Sequence, residues 1–438
     1  MDCRAKPGND VKRRFRQYRI RSRLAAMVIT NDSAAAAALG GARRKRRTLA
    51  ACGGAHILHD GLGNALYVLF PLWQAAFGLS LAEIGLLKTV YSGALAGLQL
   101  PAGLLAERGG ERALLVLGTA LAGLGLILAG WSQGFLSLAL CLALCGAGSS
   151  VQHPISSSLI AHAFEKSGLR AALGTYNFAG DLGKVALPAV AAWLIALLAW
   201  RSAIIALGSG VIAAALAALA ALGLQREARL AVTAAEVPKS AAAATQVAWT
   251  ASARRGFIAL AAIGVVDSAT RSGFLVFLPF LLGAKGAGLP TIGLALSLVF
   301  AGGATGKFVC GLLADRVGIL RSVIITECAT SAGILALLPL SLNTSLILLP
   351  AIGLALNGTS SVLYGTVAEL APAERLARAF GLFYTLSIGG SALSPAFYGL
   401  LSDRIGLPPT LAVVAAMVLL VVPLTLPLRA PLRELRAP

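Results

Sequence analysis

The sequence predicts an all-α membrane protein in which twelve transmembrane helices form two pseudo-symmetric bundles of six. Of its 438 residues, 57% are hydrophobic and 13% are charged, and the mean hydropathy is +0.81. A soluble domain carries about 25% charged residues, so this chain lacks the polar groups that coat a surface facing water. Apolar stretches of about 20 residues, long enough to cross a hydrocarbon core, recur along the chain. The sequence also repeats itself once, which predicts the two bundles.

Apolar windows between charged or turn-forming residues predict the twelve spans. Arg and Lys concentrate in the even-numbered connections, so by the positive-inside bias these connections and both termini are expected in the cytoplasm. The predicted spans are 49–76, 82–106, 112–131, 135–164, 170–199, 202–224, 256–283, 290–314, 320–340, 344–371, 376–401 and 408–427.

The spans divide the chain into five segments. The expected segments are a basic cytoplasmic N-terminal tail (1–48, with Met27 as an alternative start), an N-terminal six-helix bundle (49–224), a cytoplasmic linker (225–255), a C-terminal six-helix bundle (256–428) and a cytoplasmic tail (429–438).

The net charge of +19 suits nucleic acid or a membrane surface. The basic run RRKRR at 43–47 directly precedes the first apolar span, so we interpret it as a topological anchor and expect no nucleic-acid partner.

The six cysteines are scattered, and Cys141 and Cys145 lie one turn apart in an apolar run, which indicates that they pack as small hydrophobic side chains. No cofactor and no metal site are expected.

An internal repeat is visible in the chain itself. GLLAERGGER begins at Gly103 and GLLADRVGIL begins at Gly311, an offset of 208 residues (311 − 103). At the same offset Gly85 corresponds to Gly293. Parallel halves that enclose a site near the bilayer midplane are an architecture of transporters.

The repeated segment resembles the signature loop of the major facilitator superfamily, with its pattern Gly-x-Leu-Ala-acid-Arg-x-Gly. A partial third copy, GLLSDRIG, lies at 399–406. Within that superfamily, HILHD at 56–60, GSSVQHP at 148–154 and AELAPAERLARAFGLFY at 368–384 resemble the fosmidomycin-resistance type. The resemblance covers nearly all of 49–428. It implies the major facilitator fold, a small-molecule substrate, a bacterial inner membrane and function as a monomer.

Charged side chains within the spans need a function or a partner, because each costs about 2.5–3.5 kcal/mol on insertion scales. His56, Asp60 and Asn64 are spaced by four residues and therefore share one helix face. A carboxylate with little water around it can take up and release a proton near neutral pH. We predict Asp60 as a proton-coupling site; the alternative is a structural Asp that ties helices together.

The fourth span contains an unusual polar stretch. Ser149, His153 and Ser156 follow at intervals of three and four residues, which predicts a polar stripe facing an aqueous cavity. Pro154 frees a carbonyl near Ser150 that the hydroxyls can satisfy. Alternatively, the hydroxyls only hold helices together. His153 favours the cavity because imidazole titrates near physiological pH.

Two pairs, Asp181 with Lys184 and Asp267 with Arg271, can neutralise themselves within one helix. Lys307 has no partner in its own helix, so with Arg271 it predicts a positive inner wall and a substrate with an acidic group. The predicted proton-coupling residues are Asp60, His56, His153, Asp181 and Asp267. The predicted substrate-binding residues are Asn64, Ser149, Ser150, Gln152, Tyr176, Asn177, Lys184, Arg271, Lys307, Tyr364 and Tyr384.

The two signature loops are predicted to gate the cytoplasmic side. Glycines let helix ends approach closely, and acid–Arg pairs can hold one conformation and break in the other. A plain tight turn, the alternative, does not predict the same sequence twice at one offset. The gating residues are Gly103, Glu107, Arg108, Gly110 and Arg112 in the first loop and Gly311, Asp315, Arg316 and Gly318 in the second.

Together these features predict a proton-coupled secondary transporter, not an enzyme, that exports a small organic and anionic compound or drug by antiport. Uptake of a small organic solute by proton symport is the alternative. Rivals of a different class are a sensor that keeps the transporter fold and a membrane enzyme with a metal on His56, His59, Asp60 and His153. A channel suits two matching halves with gating loops less well.

Overall fold

The computed structural model describes residues 8–164, 168–222, 251–371 and 376–434, and within these ranges the ordered elements are helices. The N-terminal half contains α1 (Gly8–Phe77), α2 (Leu81–Gly109), α3 (Glu111–Ala129), α4 (Phe135–Ser149), α5 (Gln152–Ala163), α6 (Leu169–Leu197) and α7 (Trp200–Leu222). The C-terminal half contains α8 (Ala251–Ala284), α9 (Leu289–Val317), α10 (Ile319–Leu337), α11 (Leu342–Leu370), α12 (Leu376–Ile405), α13 (Leu407–Val418), α14 (Val421–Leu424), a short 3-10 turn (Leu426–Leu428) and α15 (Arg429–Glu434).

These helices follow the predicted spans closely, with three differences, one of which is that the twelfth span is divided into α13, α14 and a 3-10 turn. The first helix runs back to Gly8, through most of the predicted tail. The fourth span is interrupted between α4 and α5, and Pro154 lies in the first turn of α5, where a missing N–H costs no helical hydrogen bond. The predicted linker falls largely outside the described residues.

Within the described ranges, ten helical stretches are long and apolar enough to cross a membrane by length and composition. Neither α1 nor α12 is among the ten. The part of α1 that matches the first predicted span carries two histidines, Asp60 and Asn64, so the helix richest in candidate functional groups is also one that departs from a purely apolar span.

The connections between helices lie at two opposite ends of the molecule. We call the end with the connections 78–80, 130–134, 198–199, 285–288, 338–341 and 406 the odd end, and the opposite end, with the signature loops, the even end. This arrangement follows from the up-and-down order of the spans, and it places each signature loop at the same end.

The apolar core is shared between the halves only at the odd end. There Leu66 and Phe70 of α1 belong to the same buried cluster as Phe274 and Phe277 of α8. Toward the even end each half has a separate buried cluster. The cluster of the N-terminal half includes Cys52 and Tyr176, and the cluster of the C-terminal half includes Phe257 and Leu432. The two halves therefore pack as one body at one end and as two bodies at the other.

Three glycines form the turns after α2, α9 and α12. Gly110, Gly318 and Gly406 have φ of 92°, 88° and 88°, a region that favours glycine. The N–H of each donates to the carbonyl oxygen four residues earlier. The third, partial copy of the signature thus has the same backbone geometry as the first two, although it lies at the odd end.

Candidate functional site

A chain of charged side chains crosses the middle of the molecule. We call it the polar chain, and it consists of His56 and Asp60 on α1, Lys184 and Asp181 on α6, and Lys307 on α9. Its members are four residues apart on α1 and three apart on α6, so each helix presents two of them on one face. The polar chain joins the N-terminal half to the C-terminal half.

Asp60 lies at the centre of three basic side chains. Its Oδ2 atom is 3.2 Å from His56 Nε2 and 3.1 Å from Lys184 Nζ, and its Oδ1 atom is 3.7 Å from His153 Nε2. The carboxylate is 16% exposed, whereas the His153 side chain is 47% exposed. His153 therefore connects the buried acid to open space.

The backbone and an aromatic ring hold His56 in place. His56 Nδ1 lies 2.8 Å from the carbonyl oxygen of Tyr176, and the two rings pack with their centroids 4.2 Å apart. A Cβ at Gly180 would lie 2.4 Å from His56 Nε2, so a glycine is needed where α6 passes this ring. The orientation of His56 is thus fixed from two sides.

Lys307 pairs with the other half of the molecule. Its Nζ atom lies 2.7 Å and 2.6 Å from the two carboxylate oxygens of Asp181, and Lys184 Nζ lies 3.3 Å from Asp181 Oδ1. The sequence analysis singles out Lys307 because it lacks a partner within its own helix. The structure supplies the partner from α6, so Lys307 is not a free cation in this conformation.

A second charged group lies within the C-terminal half. Arg271 Nη2 is 2.5 Å from Asp267 Oδ2, which is the expected pairing within α8. These two residues line a small cavity with Ser268, Ser360 and Tyr364. The side chain of Asp267 is 3% exposed and that of Arg271 is 24% exposed, so Arg271 is the more accessible member of the pair.

The predicted water-facing stripe of the fourth span is wrong for most of its members. Ser149 lies 3.1 Å from His59 Nδ1, the Ser150 hydroxyl donates to the carbonyl of Ala147, and Gln152 donates to the Tyr176 hydroxyl. The residues of the stretch that are buried are Ser149, Ser150, Gln152 and Ser156. The side chains of Ser149 and Gln152 are covered by α1 and α6. Of the predicted stripe of Ser149, His153 and Ser156, only His153 is exposed.

The remaining predicted binding residues are divided between interior and surface. Asn64 donates to the carbonyl oxygen of Asp60, so its amide is engaged by its own helix. Tyr176 is buried, whereas Asn177 is exposed. Tyr364 and Tyr384 stack with centroids 4.8 Å apart, and Tyr384 is 43% exposed.

The signature loops differ in what the structure describes. The side chains of Glu107 and Arg108 lie outside the described part, and Arg112 Nη1 lies 3.4 Å from the carbonyl oxygen of Leu222. Asp315 and Arg316 are exposed and line a cavity of about 620 Å³ at the even end, and within the described ranges they form no ion pair. The role of the loop charges as a gate stays a prediction.

Two buried charged residues escaped the sequence analysis. Glu327 in the middle of α10 is 1% exposed, and Lys88 in the first half of α2 is 7% exposed. Lys88 Nζ donates to the carbonyl oxygen of Gly63 and lies 4.8 Å and 5.0 Å from the ring centres of Tyr67 and Tyr91. Asp60 is a functional candidate because it is a charged residue within an apolar span. The same criterion makes Glu327 and Lys88 candidates as well.

His56, Asp60 and His153 could also serve as metal ligands, because one ligand atom from each lies within 4.8 Å of the others. The Lys184 ammonium group, 3.1 Å from the same carboxylate, adds positive charge where a cation would bind. His59 turns away, with its ring nitrogens 3.1 Å and 3.0 Å from the hydroxyls of Ser149 and Thr119. This arrangement suits a proton better than a metal ion.

Two matching helical halves with a charged site between them define the class of a multi-pass membrane transporter. A sequence model of the Major Facilitator Superfamily matches residues 53–267 and 260–438. The chain belongs to the Major Facilitator Superfamily, which confirms the resemblance seen in the signature loops.

The relatives of known name are bacterial. The chain is 27% identical over 380 residues to the uncharacterized MFS-type transporter YfnC of Bacillus subtilis (strain 168), covering 85% of this chain and 90% of that protein. It is 31% identical over 150 residues to the Fosmidomycin resistance protein of Escherichia coli (strain K12), covering 34% and 36%. It is 26% identical over 342 residues to a probable 4-methylmuconolactone transporter of Cupriavidus pinatubonensis, covering 77% and 79%.

Solved structures share the fold. A bacterial homolog to the human lysosomal transporter Spinster, in an inward-facing and unoccupied conformation, superposes with a TM-score of 0.72 at 17% identity, covering 89% of this chain and 98% of that one. The nucleoside transporter NupG superposes with a TM-score of 0.69 at 11% identity, covering 86% and 98%. These similarities confirm the predicted fold of two helical bundles.

Proposed function

We propose that this chain is a proton-coupled secondary transporter of a small organic anion, in which Asp60 and His56 bind the transported proton. The observation that carries the proposal is the surroundings of Asp60, whose carboxylate meets His56, His153 and Lys184 in the part of α1 that matches the first predicted span. A charged group at such depth is costly and is a functional candidate for that reason. We further propose that the transporter works as a monomer in a bacterial inner membrane, with both termini in the cytoplasm.

The proton has a defined place between His56 and Asp60. The Tyr176 carbonyl can only accept a hydrogen bond, so His56 Nδ1 carries the hydrogen that donates to it. The other ring nitrogen, Nε2, lies 3.2 Å from Asp60 Oδ2. Two lone pairs facing each other repel, so this contact is favourable only when a proton lies between them. This geometry supports the proposal that the pair is where the transported proton binds.

An anion couples to that proton through Lys184. The Lys184 ammonium group donates toward Asp60 and Asp181, which lie 3.1 Å and 3.3 Å away. An anionic group that accepts from Lys184 takes the place of the Asp60 carboxylate, and Asp60 then keeps its proton more readily. Each ligand raises the affinity for the other, because linkage between two sites is reciprocal.

This linkage favours uptake by symport, in which proton and anion move in the same direction. Export by antiport, which the sequence analysis predicts, requires that substrate and proton compete for the carrier. A specific observation supports it as a second candidate: the 31% identity to the Fosmidomycin resistance protein over 150 residues. A neutral or cationic substrate would suit antiport better than an anion.

Proton movement in liposomes distinguishes the two candidates. Purified protein is reconstituted with a pH-sensitive dye inside, and small organic anions are added outside, one at a time, without an imposed gradient. Symport predicts that the lumen becomes acidic when the substrate enters. Antiport predicts that the lumen becomes alkaline.

Asp60→Asn tests the proton site in the same liposomes. The substitution removes the charge and keeps the size of the side chain, and we expect it to slow the pH change by about 100-fold, as loss of a proton-transfer group does. Glu369→Gln, a change of the same kind at an exposed residue of α11, should leave the pH change intact. An Asp60→Asn protein that moves protons at the wild-type rate would exclude Asp60 as the proton site.

A further inference from the structure

Glu327 is a buried acid with few hydrogen-bond donors around it. It lies at the centre of α10 and is 1% exposed, and its Oε1 atom has no hydrogen-bond partner among the described residues. Thr359 of α11 is within hydrogen-bonding reach of Glu327, but its one hydroxyl hydrogen is also within reach of Thr326 Oγ1 at 2.8 Å and of the Ala355 carbonyl oxygen at 3.3 Å. An ionised carboxylate in such surroundings lacks the donors that would replace its water shell.

The neighbour of Glu327 is another acid. The carboxyl groups of Glu327 and Asp267 lie within hydrogen-bonding reach of each other, and Asp267 is 3% exposed. Two buried carboxyl groups this close cannot both be ionised, and the arrangement is stable when one proton lies between them.

The position of Arg271 decides which acid carries the proton. Its guanidinium group lies 2.5 Å from Asp267 Oδ2 and 3.4 Å from the Ser268 hydroxyl. Asp267 is therefore the ionised member, because a buried carboxylate is stabilised by a cation in direct contact. With one proton on Glu327, the group of Asp267, Arg271 and Glu327 has no net charge.

We infer that Glu327 and Asp267 form a second proton-binding site, in which Glu327 is protonated at neutral pH and donates a hydrogen bond to the Asp267 carboxylate. This extends the proposed function: the first proton site lies in the N-terminal half, and this one lies in the C-terminal half. A second proton, on Asp267, releases Arg271 toward the cavity that it lines with Ser360 and Tyr364.

The groups that face this pair come from several helices. Arg271 on α8, Tyr364 on α11 and Cys310 on α9 lie close to the acids. Tyr67 on α1 lies close to Arg271, and Tyr384 on α12 stacks on Tyr364. The helices α13 and α14 contain no titratable side chain, and Glu434 of α15 reaches Ser252 at the far end of α8. Within the described ranges, Arg271 is the cation that pairs directly with either acid.

Infrared spectroscopy of the purified protein in lipid bilayers tests the site without any substrate. Protonated and ionised carboxyl groups absorb at separate frequencies, so the spectrum of wild type minus that of Glu327→Gln shows which form the substitution removes. We expect loss of one protonated band at neutral pH. Glu369→Gln, at an exposed acid, should remove an ionised band instead.

Asp267→Asn provides a second test. It removes the partner of Arg271 and leaves Glu327 as the acid that can neutralise the guanidinium group, so we expect Glu327 to ionise and the protonated band to disappear here as well. A Glu327→Gln difference spectrum that shows the loss of an ionised band overturns the inference. So does an Asp267→Asn spectrum that keeps the protonated band. Failure of proton movement in the liposomes would instead contradict the proposed function, and the two results are independent.

Discussion

The two ends of the interface between the halves differ sharply, although the same helices run through both. At the odd end, Gly85 of α2 lies so close to α12 that an added Cβ would be 2.1 Å from the Pro395 carbonyl oxygen. A Cβ at Gly399 of α12 would lie 2.3 Å from the Leu81 carbonyl oxygen. Farther along the same helices, toward the even end, a Cβ at Gly93, Gly97 or Gly389 would meet nothing within 4 Å among the described residues.

This comparison shows which part of the interface holds the observed conformation. Close backbone contacts at glycines, the shared apolar cluster and the Lys307–Asp181 pair all lie at the odd end or in the middle. Toward the even end, by contrast, Gly93, Gly97 and Gly389 have open space beside them among the described residues. A carrier of two halves needs one end closed and the other open, and the structure is one of those two states.

Among the variants of the interface, we expect Gly85→Ala to change the population of the state closed at the odd end most. The methyl group has no space against the Pro395 carbonyl oxygen, and overpacking of this kind costs about 1–3 kcal/mol, or roughly 5- to 150-fold in the population of the state closed at the odd end. Spin labels at position 133, in an odd-end connection of the N-terminal half, and at position 343, in the first turn of α11 at the same end of the other half, measure the shift as a longer distance. Gly93→Ala, on the same helix in open space, is the control. An unchanged distance in Gly85→Ala would mean that this glycine contact does not hold the odd end closed.

The next effect is expected from the ion pair between the halves. Asp181→Asn and Lys307→Met each break the ion pair. The effect of the double variant on the population of the state closed at the odd end should be smaller than the sum of the two single effects, with a coupling energy of about 0.5–3 kcal/mol. The same label distances measure the population. Lys184→Met, which disrupts pairs within one half, is the control and should shift the distance less. Strict additivity of the two single variants would show that the pair does not join the halves energetically.

The smallest effect is expected from Asp403→Asn. The Asp403 carboxylate of α12 accepts hydrogen bonds of 2.9 Å from the backbone N–H groups of Leu81 and Ala82, which begin α2 in the other half. A charged cap at a helix N-terminus contributes about 0.5–2 kcal/mol, so its loss should open the odd end several-fold. Glu83→Gln weakens a capping interaction with Ser80 inside the same half and serves as the control. Equal shifts in the two variants would rule out a specific role for Asp403 in joining the halves.

The fold could be predicted because its signals are local. Length and apolar content fix each span to within a few residues, and the repeated signature fixes the two halves. The family followed from the same residues. The extent of α1 back to Gly8 could not be predicted, since a polar helix lacks the apolar signal on which the spans depend.

The site was predicted only in part, because partners come from distant parts of the chain. His56 and Asp60 are four residues apart and do meet, but the partner of Lys307 is Asp181, 126 residues away. Spacing predicted one polar stripe for Ser149 and His153, but not that the span is interrupted between them or that His59 covers Ser149. Glu327 and Lys88 each carry a usable signal, a single charge in an apolar span, but both lie outside the motifs that resemble the family.

Lys88 adds a consequence of a different kind. Its ammonium group lies against two tyrosine ring faces and one carbonyl oxygen, and no carboxylate in the described ranges pairs with it. Such a charge acts at long range: an anion about 10 Å away gains about 1.7 kcal/mol at an effective dielectric constant of about 20. This attraction is the same at every stage of the proton cycle. If the proposed mechanism holds, a protein whose proton cycle is disabled should still discriminate between anions and neutral compounds, because the charge of Lys88 is separate from the proposed proton site.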